Sequence, residues 1–124
     1  MTKLETGLNI LSKLHGAHMG EKIMAATSDV APDFLKMTAE FAMAEFMERP
    51  HIDIKIREFL ILALCLAQGH MPQAKAHIES AFGVGATKEE ISEVILQLIP
   101  VCGFPVAANG LMLLKEIGPH FSQS

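Results

Sequence analysis

An all-α subunit is predicted by three observations. Apolar residues recur at helical intervals, beginning with Leu4, Leu8, Leu11 and Leu14. Stop and start signals separate the periodic stretches, chiefly Gly16, Pro32, Pro50, Pro72, Gly83, Gly85 and the Gly118-Pro119 pair. No run alternates apolar and polar residues in the manner of a strand.

The first helix carries the four leucines and ends near Gly16. A shorter second segment runs from Glu21 to Thr27, after the interruption at Gly20. Ser28-Asp-Val-Ala-Pro32 then supplies a cap and a proline close to a helix start. Phe34, Met37, Phe41 and Ala44 give the third helix its buried stripe, through about Glu48. Pro50 pushes Arg49 out of helical geometry and closes that helix, and Asp53 can cap the next. Ile54 to Gln68 is apolar on nearly all sides and is predicted as the central core helix. Gly69-His-Met-Pro72 breaks it, and Pro72 opens a helix that reaches about Phe82. After Gly83-Val-Gly85, Thr87-Lys-Glu-Glu90 reads as a capping box, in which the Thr hydroxyl and the Glu carboxylate bond each other's free amides. Ile91, Val94, Ile95, Leu98 and Ile99 form the buried face that follows. Cys102-Gly-Phe-Pro105 turns the chain into a last helix, ended by Gly118-Pro119.

A chain of 124 residues without an internal linker reads as one domain, 1–124. Half of its residues are apolar and its mean hydropathy is +0.32, high for so small a domain, which has much surface to cover. The excess hydrocarbon is expected in a subunit interface, so a homo-oligomer is predicted. The net charge is −4, from 10 basic and 14 acidic residues, with no basic cluster to follow a phosphate backbone, so nucleic acid is not expected as a partner. The apolar run from Phe59 to Ala67 is too short to span a bilayer, and the N-terminus lacks the apolar core of a secretory signal. No membrane partner is expected, and the cytoplasm is the expected compartment. Cys65 and Cys102 show no metal or redox spacing; Cys65, inside the apolar run, reads as a buried inert thiol.

Few residues can carry chemistry. His77 lies near the end of its helix among Ala74, Ala76 and Ala81, with room beside the ring for a group that titrates near neutrality. The same spacing also suits a surface or core histidine. Arg49 and Arg57 are the only arginines, suited to paired N–H contacts with a carboxylate or to ion pairs with Glu45, Glu48 or Glu58. His15 and His18 share a helix side, but nothing completes a metal site, and none is expected. Gly83-Val-Gly85 follows a helix rather than a strand, so it does not read as a nucleotide loop.

Laid out in this way, the chain resembles the carboxymuconolactone decarboxylase family, related to alkyl hydroperoxidase D. The resemblance rests on A-E-F-M-E-R-P at 44–50, K-I-R-E-F-L at 55–60, H-I-E-S-A-F-G-V-G-A-T-K-E-E-I-S-E-V-I at 77–95 and C-G-F-P-V-A-A-N at 102–109. It implies an all-helical subunit assembled into trimers or hexamers, with a pocket beside His77. It also implies a carbon–carbon lyase that removes CO2 from a small anionic lactone in aromatic-compound breakdown, without an organic cofactor. On that reading His77 donates a hydrogen bond or the proton, Glu45 orients it or shares in proton transfer, and Arg49 or Arg57 anchors the retained carboxylate. Hydroperoxidase D-like relatives resemble E-x11-C-x2-C-x3-H. Here Glu58 and His77 persist, while His70 and Gln73 stand at the two cysteine places. That makes Glu58 a further catalytic candidate and disfavours dithiol peroxidase activity. Members close to the type decarboxylase have Trp, Ser and Tyr where Met47, Glu58 and Cys102 stand, so the resemblance implies that Cys102 lines the substrate pocket and that the substrate itself can differ. Two alternatives remain: a thiol-dependent antioxidant using Cys102, and a non-catalytic oligomeric scaffold.

Overall fold

A computed structural model describes residues 1–121; residues 122–124, the end of the expected domain, lie outside it. Every element among the described residues is helical, as predicted. They gather into two compact units, Met1–Ile54 and a second that begins at Lys55.

The first unit opens with α1 (Lys3–His15), α2 (Met19–Thr27) and α3 (Phe34–Met37), which runs on into a π-helical stretch, Thr38–Phe46. A capping box starts α1: the Glu5 amide donates to Thr2 Oγ1 at 3.1 Å and the Thr2 amide to Glu5 Oε2 at 3.3 Å. Gly16 ends the helix at the predicted place. The leucine periodicity buries Leu11 and Leu14, joined by Ile10 and Gly7.

The third helix differs from expectation. Its predicted stripe is turned outward, with Met37 64% and Phe41 65% exposed and Phe34 also exposed. Ala39, Met43 and Met47 are buried instead. Phe34 and Met37 precede the π-helical stretch, and the buried positions Ala39, Met43 and, just beyond the stretch, Met47 follow one face at intervals of four. Gly7 selects that face, because the missing side chain lets the Ala39 backbone lie directly against α1.

The second unit consists of α4 (Ile54–Gln68), all but its first residue, with α5 (Met71–Gly83), α6 (Lys88–Leu96), α7 (Ile99–Cys102), α8 (Phe104–Ile117) and a closing 3-10 turn at Gly118–His120. Leu62, Leu66, Ala74, Ile78, Ala81, Ile91, Ile95, Ala107, Leu114 and Ile117 form one buried cluster. Each fully buried Leu or Ile in it contributes roughly 2–3 kcal/mol from area removed from water. Phe82 and Phe121 stack beside the cluster with ring centroids 5.0 Å apart.

The turns follow the sequence closely. Gly85 (φ +100°) reverses the chain after α5, and the Thr87–Glu90 capping box starts α6. Gly103 (φ +90°) makes the corner between α7 and α8. Both glycines hold a left-handed backbone that a side chain would strain. Lys55 Nζ reaches Glu90 Oε2 at 2.9 Å and ties the first turn of α4 to α6.

Helix α4 also departs from expectation. It is not buried on all sides: Glu58, Leu62 and Leu66 face inward, while Ile56, Leu60 and Leu64 are exposed on the other flank.

Candidate active site

A carboxylate lies where the periodicity of α4 calls for hydrocarbon. Glu58 is one turn before Leu62 on the buried face and has no solvent exposure. An isolated charge there would be prohibitively costly, so the group requires partners. They come from α5, where His77 and Ser80 are three residues apart and therefore adjacent on one helix side. His77 Nδ1 lies 2.7 Å from Glu58 Oε1. The Ser80 hydroxyl, itself buried, donates to the same Oε1, and it also lies 3.3 Å from the His77 carbonyl oxygen. Glu58 Oε2 is buried and accepts no hydrogen bond from the described residues.

The imidazole lies at the edge of this buried group, its side chain 14% exposed. A histidine held through Nδ1 by a buried carboxylate has its ring plane fixed, which is what proton transfer at a defined place demands. The sequence did not decide which glutamate meets His77; in the fold it is Glu58.

The other candidates fall as follows. Arg57, half-buried, precedes Glu58 on α4, and Cys102 ends α7 half-buried. Both belong to the second unit. Glu45 and Arg49 belong to the first. There Glu45 forms an ion pair with Lys3, which holds the lysine ammonium above its ordinary range through that hydrogen bond and charge. Arg49 lines a cavity of about 310 Å³ with Lys13, Glu48 and Asp53. His18 lies 3.4 Å from Glu21 on an exposed surface. Among the described residues no group of three or more His, Cys, Asp or Glu is placed to hold a metal ion. Nor is any described helix long and apolar enough to cross a membrane.

Cys65 is half-buried rather than enclosed. Burial pushes its thiol up, and the negative charge of Glu58 adds to the effect. A raised thiol disfavours the thiolate, in agreement with an inert side chain.

Ser80 escaped the sequence reading. Its one signal is position: it is a hydroxyl on the flank of α5 that also buries Ala74, Ile78 and Ala81, one turn beyond His77. Helical spacing places it beside His77, but nothing local reveals that a carboxylate from α4 arrives there.

Fold and site together describe an all-helical protein in which two neighbouring helices hold a buried glutamate–histidine pair. The chain belongs to the carboxymuconolactone decarboxylase family, whose model matches residues 32–116. That stretch contains Glu58, His77 and Ser80 as well as Glu45, Arg49, Arg57 and Cys102. The chain is similar to a 4-carboxymuconolactone decarboxylase of Acinetobacter baylyi, 24% identical over 115 residues, covering 93% of this chain and 86% of the relative. It is also similar to an uncharacterized 15.0 kDa protein in the nqo9-nqo10 intergenic region of Paracoccus denitrificans, 27% identical over 96 residues, covering 76% of this chain and 72% of the relative.

Proposed function

We propose that this chain is a carboxy-lyase that needs no organic cofactor and acts on a small anionic lactone or carboxylic acid in aromatic-compound breakdown. The observation that carries the reading is the 2.7 Å contact between His77 Nδ1 and the buried Glu58 carboxyl, within a chain of this family.

In the proposed reaction the bond from carbon to the departing carboxylate breaks, CO2 leaves, and the electron pair passes into the unsaturated lactone as a dienolate. His77, as imidazolium, delivers a proton from Nε2 to carbon and is reprotonated from solvent. Glu58 holds the ring and offsets the positive charge it carries before transfer. A guanidinium, Arg57 or Arg49, anchors the retained carboxylate by paired N–H groups. Glu45 and Cys102 complete the proposed set, Glu45 in proton transfer and Cys102 in the pocket wall.

We further propose that the one-domain chain works in the cytoplasm as a trimer or hexamer. Support comes from the hydrocarbon on the surface of each unit: Phe34, Met37, Phe41 and Phe46 in the first, Ile56, Leu60 and Leu64 in the second. Such patches mark interaction sites when they are contiguous.

The test is CO2 release, or the accompanying ultraviolet change, with 4-carboxymuconolactone. An inactive wild type rejects that substrate, and a fully active His77→Ala variant rejects the mechanism. Alkylation of both cysteines separates this reading from a thiol-dependent antioxidant, which it would abolish. The antioxidant is disfavoured because His70 and Gln73 stand where the hydroperoxidase D-like pattern has its two cysteines.

A further inference from the structure

We propose that Ser80 is a positioning residue that sets which nitrogen of His77 carries the proton. Its hydroxyl holds the Glu58 carboxyl so that the resting ring is the Nδ1–H tautomer and Nε2 is the basic nitrogen.

The argument begins with one oxygen. Glu58 Oε1 receives the Ser80 hydroxyl and lies 2.7 Å from His77 Nδ1. Two arrangements satisfy that short Nδ1 contact. In one, Nδ1–H donates to a carboxylate oxygen. In the other, a carboxylic acid proton on Oε1 is donated to a bare Nδ1, which leaves the hydrogen on Nε2. A carboxylate oxygen accepts two hydrogen bonds in its own plane. Ser80 can donate to Oε1 in either arrangement, but a carboxylate oxygen is a much stronger acceptor than the hydroxyl oxygen of a carboxylic acid, so its hydrogen bond favours the arrangement in which Oε1 carries no proton. The first arrangement is therefore the one Ser80 selects.

Geometry gives Ser80 the leverage. It lies one turn after His77 on α5, so a single helix holds the α4 carboxyl at two points. Two points fix the carboxyl plane where one would leave it free to rotate about its last bond. The serine has no solvent exposure to speak of, at 1%, so water does not readily replace its hydroxyl. Its other near acceptor, the His77 carbonyl at 3.3 Å, lies on the same turn and keeps the hydroxyl from swinging away.

The assignment rests on the proposed function only for its catalytic meaning; the tautomer is a property of the resting protein. The experiment is a long-range proton–nitrogen correlation spectrum of the full chain with labelled histidine, recorded above the ring's titration. The expected wild-type pattern for His77 is a protonated Nδ1 and an unprotonated Nε2. Ser80→Ala is expected to shift the tautomer ratio toward Nε2–H by roughly three- to tenfold, the worth of one neutral hydrogen bond. Ser80→Thr, which restores a hydroxyl, returns the wild-type pattern. A wild-type ring protonated on Nε2, or a Ser80→Ala spectrum identical to wild type, overturns the proposal. If Ser80→Ala lacks a cooperative melt, Ser80→Cys, close in volume and a weak donor, takes its place with the same expected direction. A chain inert toward every lactone tested would reject the functional reading and leave the tautomer result standing. The wrong tautomer in an active enzyme would do the reverse.

Discussion

Gly7 on α1 and Ala39 in the π-helical stretch meet backbone to backbone, so closely that any Cβ on Gly7 would overlap the Ala39 carbonyl. The contact sets how α1 lies on the wide-turned helix. Gly7→Ala is expected to destabilise by about 3 kcal/mol, because backbone cannot yield as a side chain does. The sign is informative: in a relaxed helix interior the same change stabilises by about 1 kcal/mol. Urea denaturation at fixed protein concentration measures it.

Gly110 on α8 supplies the contrast. A Cβ there would meet Leu66 Cδ1 at 2.9 Å, the far end of a flexible side chain, and Ile95 Cγ2 at 3.0 Å, a side-chain methyl rather than backbone. Gly110→Ala is expected to cost less than about 1.5 kcal/mol, since helix propensity offsets part of the crowding. The same denaturation series compares the two glycines, and equal losses would contradict the distinction drawn between backbone and side-chain neighbours.

Removing the His77 imidazole should lower kcat by about 10²–10⁴-fold if it acts as the general acid. Glu58→Gln keeps the shape but replaces the negative acceptor. It is expected to lower kcat less than His77→Ala and to leave KM nearly unchanged, since Glu58 is enclosed and does not anchor substrate. Steady-state kinetics with the lactone reads both. The Gln variant should also lose stability, because it disturbs a buried hydrogen-bonded group.

The start of α6 has its own acid dependence. The Thr87 backbone amide, and after it the Lys55 ammonium, hold the Glu90 carboxyl below its ordinary value of 4.5. A depressed folded-state value stabilises fully above 4.5, and the contribution is lost as pH falls from there through the lower folded value. Lys55→Met should therefore lower the melting temperature near neutrality and converge with wild type in acid. A carbon-detected titration of Glu90 in the variant should still fall below 4.5, since the Thr87 amide remains. A return to the ordinary value would show that the lysine dominates.

Phe41→Asp and Leu60→Asp each place a charge in exposed hydrocarbon. If those faces meet other copies of the chain, either change should reduce the mass measured by light scattering, while helical content stays at the wild-type level. An unchanged mass in both variants would remove those faces from the proposed interface.

Much of the helical plan was legible because its punctuation is local. Thr87 and Glu90 announce their helix by spacing alone, and Gly16 and Gly103 stand at turns that only a backbone without Cβ adopts readily. The outward turn of Phe34, Met37 and Phe41 was not legible, since the face that packs inward is chosen by Gly7, a residue on another helix that meets Ala39. Nor was the exposed flank of α4, because composition does not say whether hydrocarbon is covered by the same chain. The site divides in the same way. His77 drew attention by its chemistry and Glu58 through the family pattern. Ser80 gave no sign, since its role depends on an oxygen nineteen positions earlier than His77 on another helix.

The wide turns between Thr38 and Phe46 make chain length a control on orientation. Deleting one residue there would let the ladder close at i→i+4 while the flanking turns keep their direction, so that the change of face falls on the side chains inside the stretch. Hydrocarbon now presented outward by Phe41 would change places with what Met43 hides. A shortened protein could thus keep every other residue and still offer its neighbours a different face.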